Sequence, residues 1–312
     1  MVEYINYKKD DDTSSSNGKK EPRKPIFTLK RIIWGVVGIF ILSILISSCV
    51  VSISPKIAVV PIKGEITTNS VQTLFQSQVS SRSIANQIYT LADDSTVKAI
   101  ILDINSPGGS PVASDEISKA VAYARDQKDV YSVISDSGAS GAYWVAASST
   151  QIYAAPLSVV GSIGVTSAGL SFEDFIKEYN VSYRRQIAGE FKDMGSPFRE
   201  QTPEEIEKMQ NLLDTIHEAF IEHVAQNRNM SLNETRSLAT GEIFLGSRAQ
   251  ELRLVDEIGY IRDVEQDLKD IHGNETLVLE YSSFGQGGLF SVSNPLAGFL
   301  GISDNKNKIE LK

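Results

Sequence analysis

The sequence predicts an α/β domain with parallel strand–helix crossovers, set behind an apolar segment near the N-terminus. Three observations predict it. From Lys56 onward, short runs rich in β-branched residues alternate with stretches whose apolar residues recur at helical spacing. Such alternation favours a parallel sheet with helical connections. Several of the candidate helices also open on residues suited to a first turn, among them Pro111 and the capping box Thr202-Pro203-Glu204-Glu205.

Taken in order, Ile57–Ile62 (IAVVPI) reads as a short buried strand, and Ser83–Asp93 has helical spacing through Ile84, Ile88 and Leu91. Val97–Ile104 (VKAIILDI) reads as a central strand and Pro111–Asp126 as a helix. Val130–Ser135 is the next strand, Ser140–Ser148 a helix, and Gln151–Ala154 a strand. Phe172–Tyr179 is a helix and Val181–Ile187 a strand. The capped helix then runs to about Asn227, with Ile206, Met209, Leu213, Ile216, Phe220 and Val224 on one face. His217 and His223 flank that stripe about 120° apart, too far to converge on one metal, and read as structural or solvated. His272, beside Gly273, reads as a turn residue. After Tyr281 the sequence becomes Gly- and Ser-rich around an apolar patch, Leu289–Ile302.

Charge and composition narrow the function. The net charge is −9, yet residues 1–31 carry eight Lys/Arg against five acids, so the main domain is more acidic than the total suggests. An acidic domain lacks the basic face that a general nucleic-acid binder needs. One cysteine, Cys49, permits no internal disulfide and no multi-cysteine zinc site.

Ile32–Ile53 is an uncharged run of 22 residues. As a helix it would be roughly 33 Å long, enough for a hydrocarbon core of about 30 Å. The basic cluster before it predicts an N-terminus inside and the main domain outside. Ile46–Cys49 (ISSC) would also suit a lipoprotein cleavage site, but such signals begin with a short basic region, whereas some thirty residues precede this run. The expected organisation is a cytoplasmic tail at 1–31, a retained single-span anchor at 32–54, an extracellular domain at 55–272, and a terminal strand with an apolar tail at 273–312. The expected location is the cell membrane.

Three segments carry the candidate chemistry. Asn105–Ser110 (NSPGGS) follows a central strand and precedes a helix, where glycines let a ligand approach backbone N–H groups. Alone, it is an ordinary strand-to-helix turn. Ser140 lies in Gly138-Ala139-Ser140-Gly141, which lacks the second glycine of a GxSxG elbow. Alone, it is a helix cap. Lys192 lies in Ala188–Arg199 (AGEFKDMGSPFR), between a predicted strand and the capped helix. Alone, it is a solvated charge. Together they offer a serine nucleophile with a lysine as its general base, an arrangement that needs no histidine provided the amine is kept neutral.

These segments resemble signal peptide peptidase A, also called protease IV, in its short bacterial form. The resemblance covers about Ile57 to Val264. It is carried in order by Ser106–Ser110 (SPGGS), Gly138–Ser148 (GASGAYWVAAS), Gly161–Val165 (GSIGV), Glu190–Arg199 (EFKDMGSPFR) and Ala239–Gly259 (ATGEIFLGSRAQELRLVDEIG). It implies a fold related to Clp protease and crotonase, and a serine endopeptidase with a Ser–Lys dyad. Ser140 stands at the nucleophile's place, Lys192 at the base's, 52 positions later, and Ser162 where a hydroxyl orients the lysine amine. Gly108 and Gly109 match the turn that offers oxyanion N–H groups, with the amide of Ser140 beside them.

The resemblance further implies a homo-oligomeric ring in which serine and lysine come from neighbouring subunits. Hydrophobic peptides, such as remnants of signal peptides, would be the substrates, and no cofactor or metal is expected. The chain departs from the family at Ala142 and Trp144, at Glu242-Ile243, and at Arg253, where a helix-terminating glycine is usual. Readings that compete are a same-fold peptidase clipping other membrane proteins, a crotonase-type acyl-CoA enzyme, and an inactive membrane scaffold.

Overall fold

The computed structural model describes residues 33–43, 54–69 and 78–281. It divides into two units, Met1–Ser52 and Ile53–Lys312. In the first unit residues 33–43 form a helix, α1, with exposed side chains. Among the described residues no helix is long and apolar enough to cross a membrane. Most of the rest of the expected anchor, residues 32 and 44–53, lies outside the described residues, as do the expected tail at 1–31 and the apolar patch after Tyr281.

The second unit is built on a largely parallel sheet, as the alternating pattern predicts. In chain order come β1 (Lys56–Lys63), β2 (Glu65–Thr67), β3 (Gln78–Ser80), α2 (Ser81–Asp93), β4 (Val97–Ser106) and α3 (Pro111–Arg125). There follow β5 (Asp129–Ala139), α4 (Gly141–Ala147), β6 (Gln151–Ala154), β7 (Val159–Gly161) and α5 (Glu173–Glu178). The chain continues through α6 (Pro203–Asn227), α7 (Leu232–Leu238), β8 (Ile243–Leu245), α8 (Gly246–Glu251), β9 (Glu257–Ile258), α9 (Ile261–His272) and β10 (Leu277–Glu280). The main sheet runs β10-β1-β4-β5-β6-β9, all parallel, and β2 and β3 pair separately.

Side chains along β1 alternate between two cores, as the pleat requires. Ala58, Val60 and Ile62 join the larger core under α2, α3 and α4, while Ile57 and Val59 pack with Val264 and Leu268 of α9. Both faces of the sheet are therefore covered, which is why its strands read as continuous apolar runs.

One topological detail positions the candidate site. β5 pairs with β6 through Ile134, then turns to β7, matching Ser137–Ala139 with Val159–Gly161. A register shift after Ile104 brings Ser106 of β4 opposite Gly138. Three parallel strands thus end side by side at Ser106, Ala139 and Gly161. Ligands in open parallel sheets bind at such carboxyl ends.

One expected element is absent. Val181–Ile187 is irregular and exposed rather than a strand. Among the described residues its apolar side chains find no sheet neighbour, and β-propensity acts only where a pleated surface exists to receive it.

Candidate active site

Ser140 sits at the joint between β5 and α4 with φ 52° and ψ −125°. For a residue with a side chain this backbone conformation costs about 1–3 kcal/mol. The surroundings enforce it. The Ser140 N–H donates to Gly161 O at 2.8 Å, and the Ser140 carbonyl accepts from Tyr143 N at 2.9 Å and Trp144 N at 3.1 Å. A Cβ at Gly141 would lie 2.3 Å from Ser114 Oγ, so a larger residue directly after the serine would force that hydroxyl off its bond to Ser110 O. The Ser140 side chain makes no capping hydrogen bond, although the residue occupies the N-cap position. The strand-to-helix turn that exposes a nucleophile is therefore present without the GxSxG sequence.

The glycine turn lies beside it. Gly108 and Gly109 have φ of 98° and 153°. Ile66 N donates to Gly108 O at 2.8 Å and Ser110 N to Ile66 O at 2.9 Å, a parallel bridge centred on Gly109. In such a bridge the amide of the central residue points away from its partner strand. Gly108 N donates to Ser106 Oγ at 3.1 Å and so has a partner already. A Cβ at Gly141 would lie 3.3 Å from Gly109 N, so the two glycines adjoin. The expectation that the Ser140 amide joins an oxyanion cradle is corrected by its bond to Gly161 O. Gly109 and Gly141 both line the cleft beside Ser140.

Ser162 follows Gly161 at the end of β7, with φ 50° and its N–H donating to Glu242 O at 2.8 Å. Ser140, Ser162, Gly109 and Gly141 all line one cleft of about 480 Å³. Its apolar wall includes Trp144, Val165, Ile216 and Phe220. His217 lines it as well, which the helical-wheel reading did not suggest. Ile216 and Phe220 were legible only as part of an apolar stripe, since periodicity cannot tell a core contact from a cleft wall.

The wall is braced from behind. The His223 ring stacks on Trp144 at 4.4 Å and 9°, and its Nε2 lies 2.9 Å from Trp144 O. Burial pushes His223 below its usual range, so the ring is neutral and Nε2–H donates. The ring nitrogens Trp144 Nε1 and His217 Nε2 are buried with no hydrogen-bond partner among the described residues.

Lys192 is placed elsewhere. It lies in a turn after α5, is exposed, and is not among the residues lining the cleft. From Gly164 to Glu204 no residue is buried. Within one chain, then, the structure brings together Ser140, Ser162 and the glycine turn at Gly108 and Gly109, and leaves Lys192 apart.

A parallel α/β sheet whose strand ends hold a strained serine beside a glycine turn is an arrangement suited to a serine hydrolase. The comparisons with known proteins specify which: the chain belongs to peptidase family S49, whose model matches residues 122–274, and it is a serine peptidase. A Methanocaldococcus jannaschii protein named as a candidate protease is 33% identical over 219 residues, 70% of each chain. An Enterococcus faecium protein named as a candidate signal peptide peptidase SppA is 32% identical, over 73% of this chain and 67% of that one. Protease 4 of Haemophilus influenzae is 30% identical over 73% of this chain but 37% of its own length.

Proposed function

We propose that this chain is a membrane-anchored endopeptidase that uses Ser140 as nucleophile and Lys192 as general base, and that it cleaves apolar peptides such as remnants of signal peptides. The observation that carries the reading is the backbone of Ser140, held at φ 52° at the mouth of a cleft with its hydroxyl unused as a cap. A strain of this kind persists where a nucleophile must be presented.

The steps follow from the groups present. Lys192 in its neutral form takes the Ser140 proton, and Ser140 Oγ attacks the scissile carbonyl. The amides of Gly109 and Gly141 donate to the developing oxyanion. The lysine then protonates the leaving amine, and water resolves the acyl-enzyme. Ser162 has the position to hold the amine in line.

Because Lys192 is exposed and outside the cleft, the base comes from a neighbouring copy in a ring. Supporting this are the uncovered apolar side chains of the same stretch, among them Leu170 (74% exposed), Phe175 (59%) and Tyr179 (64%). The apolar wall of the cleft suits apolar substrate side chains. The run at 32–54 anchors the ring, with the N-terminus cytoplasmic and the peptidase domain outside.

The test is to label the full chain in detergent with a fluorophosphonate and map the adduct, in parallel with hydrolysis of an apolar reporter peptide. Wild type carries the adduct on Ser140 and cleaves, while Ser140→Ala and Lys192→Ala are inactive. Equal cleavage by Lys192→Ala and wild type would remove the lysine from the mechanism.

A further inference from the structure

The residues flanking Lys192 are both tied to the first turns of α6. On one side, Lys208 Nζ lies over the Phe191 ring at 4.4 Å from its centroid. On the other, Asp193 is held by its side chain and by its main chain. Its carboxylate accepts from Arg199 Nε at 2.7 Å, Tyr183 Oη at 2.9 Å and Arg185 Nη1 at 3.0 Å. Its carbonyl accepts from Arg199 Nη2 at 2.8 Å. Arg199 in turn grips Glu205, with Nη1 to Oε2 at 2.9 Å and Nη2 to Oε1 at 2.5 Å, a two-pronged pair of the kind only an arginine makes. Glu205 is the carboxylate of the capping box, accepting from Thr202 N at 2.9 Å.

The rest of the stretch does not explain this arrangement. It is otherwise open, yet Asp193, Arg199 and Glu205 have side chains only 11%, 16% and 5% exposed. A dense polar knot at this one place needs a reason. Its neighbour in sequence is the exposed Lys192, whose backbone N–H donates to Gly189 O at 3.2 Å and whose amine has no hydrogen bond or ion pair among the described residues. An aspartate next to a lysine is its readiest counter-ion. A carboxylate paired with that amine would favour the charged form, the opposite of what a base requires.

We infer that Arg199 is a positioning residue for Lys192. By engaging the Asp193 carboxylate and tying it to Glu205 of α6, Arg199 fixes the loop that carries the lysine and keeps the adjoining aspartate from pairing with its amine. Tyr183 and Arg185 complete the saturation of that carboxylate. The charged and titratable groups that face the knot are Tyr183, Arg185, Arg199, Glu205 and, over Phe191, Lys208. The hydrogen bond from Arg199 holds both carboxylates well below their usual range, at about 2 for Asp193 and about 2 for Glu205. They are thus fixed anions across the working range, and only their partners decide where that charge is directed. The inference rests on the Ser–Lys reading above and adds to it the means by which the base stays available.

The test compares pH–rate profiles of the full-length assembled protein in detergent, with peptide cleavage as readout, for wild type, Arg199→Gln, Arg199→Lys, Asp193→Asn and the double variant Arg199→Gln/Asp193→Asn. In Arg199→Gln the freed carboxylate pairs with Lys192⁺, and the rising limb moves to higher pH by about one unit. At a fixed pH below that limb this is about a tenfold loss, seen in kcat more than in KM. Adding Asp193→Asn moves the limb back toward wild type, because the competing charge is gone. Arg199→Lys, a single-pronged substitute, gives an intermediate shift.

A purely structural role would lower kcat without moving the limb and would not be relieved by Asp193→Asn. That pattern would overturn the inference, as would an Arg199→Gln profile like wild type. Lys192→Ala separates the two levels. If it cleaves as well as wild type, the dyad itself fails. If it is inactive while Arg199→Gln keeps its limb in place, only the positioning role fails. Should Arg199→Gln not assemble, as judged by sedimentation, Arg185→Gln and Tyr183→Phe weaken the same saturation and carry the same expected upward shift.

Discussion

At the residue scale, the informative position is Ser140, and its meaning lay in backbone geometry that residue types did not declare. In Gly138-Ala139-Ser140-Gly141 a Cβ after the serine would strike Ser114 Oγ, so glycine is favoured there, and Ser140 itself takes φ 52°. Neither constraint requires the second glycine of the familiar pentapeptide, so a pattern search passes over a turn that is nonetheless built. The same geometry gives a stability prediction. Replacing Ser140 by glycine relieves about 1–3 kcal/mol of strain and costs up to about 1 kcal/mol in unfolded-chain entropy. Ser140→Gly should therefore be inactive yet more stable than wild type by about 1 kcal/mol, read as a higher denaturation midpoint at unchanged slope. Ser140→Ala keeps the strained φ and should gain nothing. A Ser140→Gly variant less stable than Ser140→Ala would contradict the strain assignment. Arg253, read from the sequence as standing where a glycine usually ends a helix, does adopt φ 63°.

At the element scale, what was legible and what was not divide along one physical line. Strands and helices that bury their apolar residues inside the chain were readable nearly to the residue. Val97–Ile104 lies within β4, and the capped helix from Thr202 to about Asn227 is α6 with its reciprocal cap formed. The misreadings fall where apolar residues stay exposed instead of entering the core described above. Val181–Ile187 has the composition of a strand and forms none. The stripe on α6 is half-used: Phe220 and Val224 are buried, whereas Ile206 is 54% exposed. Periodicity reports that a face is apolar and is silent on which molecule covers it.

The loop between these regions depends on charge instead, and this sets an acid limit. Asp193 and Glu205 have folded-state values of about 2 and about 2, below the roughly 3.9 and 4.3 of unfolded carboxylates. Depressed carboxylates contribute stability that is fully present above the unfolded values and is lost as pH falls through the folded ones. The loop at 183–205 should therefore loosen between about pH 4 and pH 2, before the sheet does. Hydrogen-exchange protection, corrected for intrinsic rates, should fall there first while β4 and β5 stay protected. Simultaneous loss in both would show that the ion pairs do not hold the loop.

At the scale of the whole molecule, Lys192 lies outside the cleft that holds Ser140, and for the proposed dyad this separation has a counting consequence. In a ring with head-to-tail contacts, each active centre takes its serine from one subunit and its lysine from the next. On the proposed mechanism Ser140→Ala keeps a good lysine and Lys192→Ala keeps a good serine, and homogeneous rings of either should be dead. When equal amounts are mixed, dissociated and reassembled, a junction works only if its serine comes from a Lys192→Ala subunit and its lysine from a Ser140→Ala subunit. Random mixing gives each condition a chance of about one half, so about one quarter of wild-type peptide cleavage should return. If instead both groups came from one chain through movement of the loop, no mixture could contain an intact centre and activity would stay at the level of the single variants. Titrating the ratio sharpens the distinction, because restored activity should follow the product of the two fractions and peak at equal amounts. A mixture that assembles, by sedimentation, yet shows no restored cleavage at any ratio would rule out a shared site.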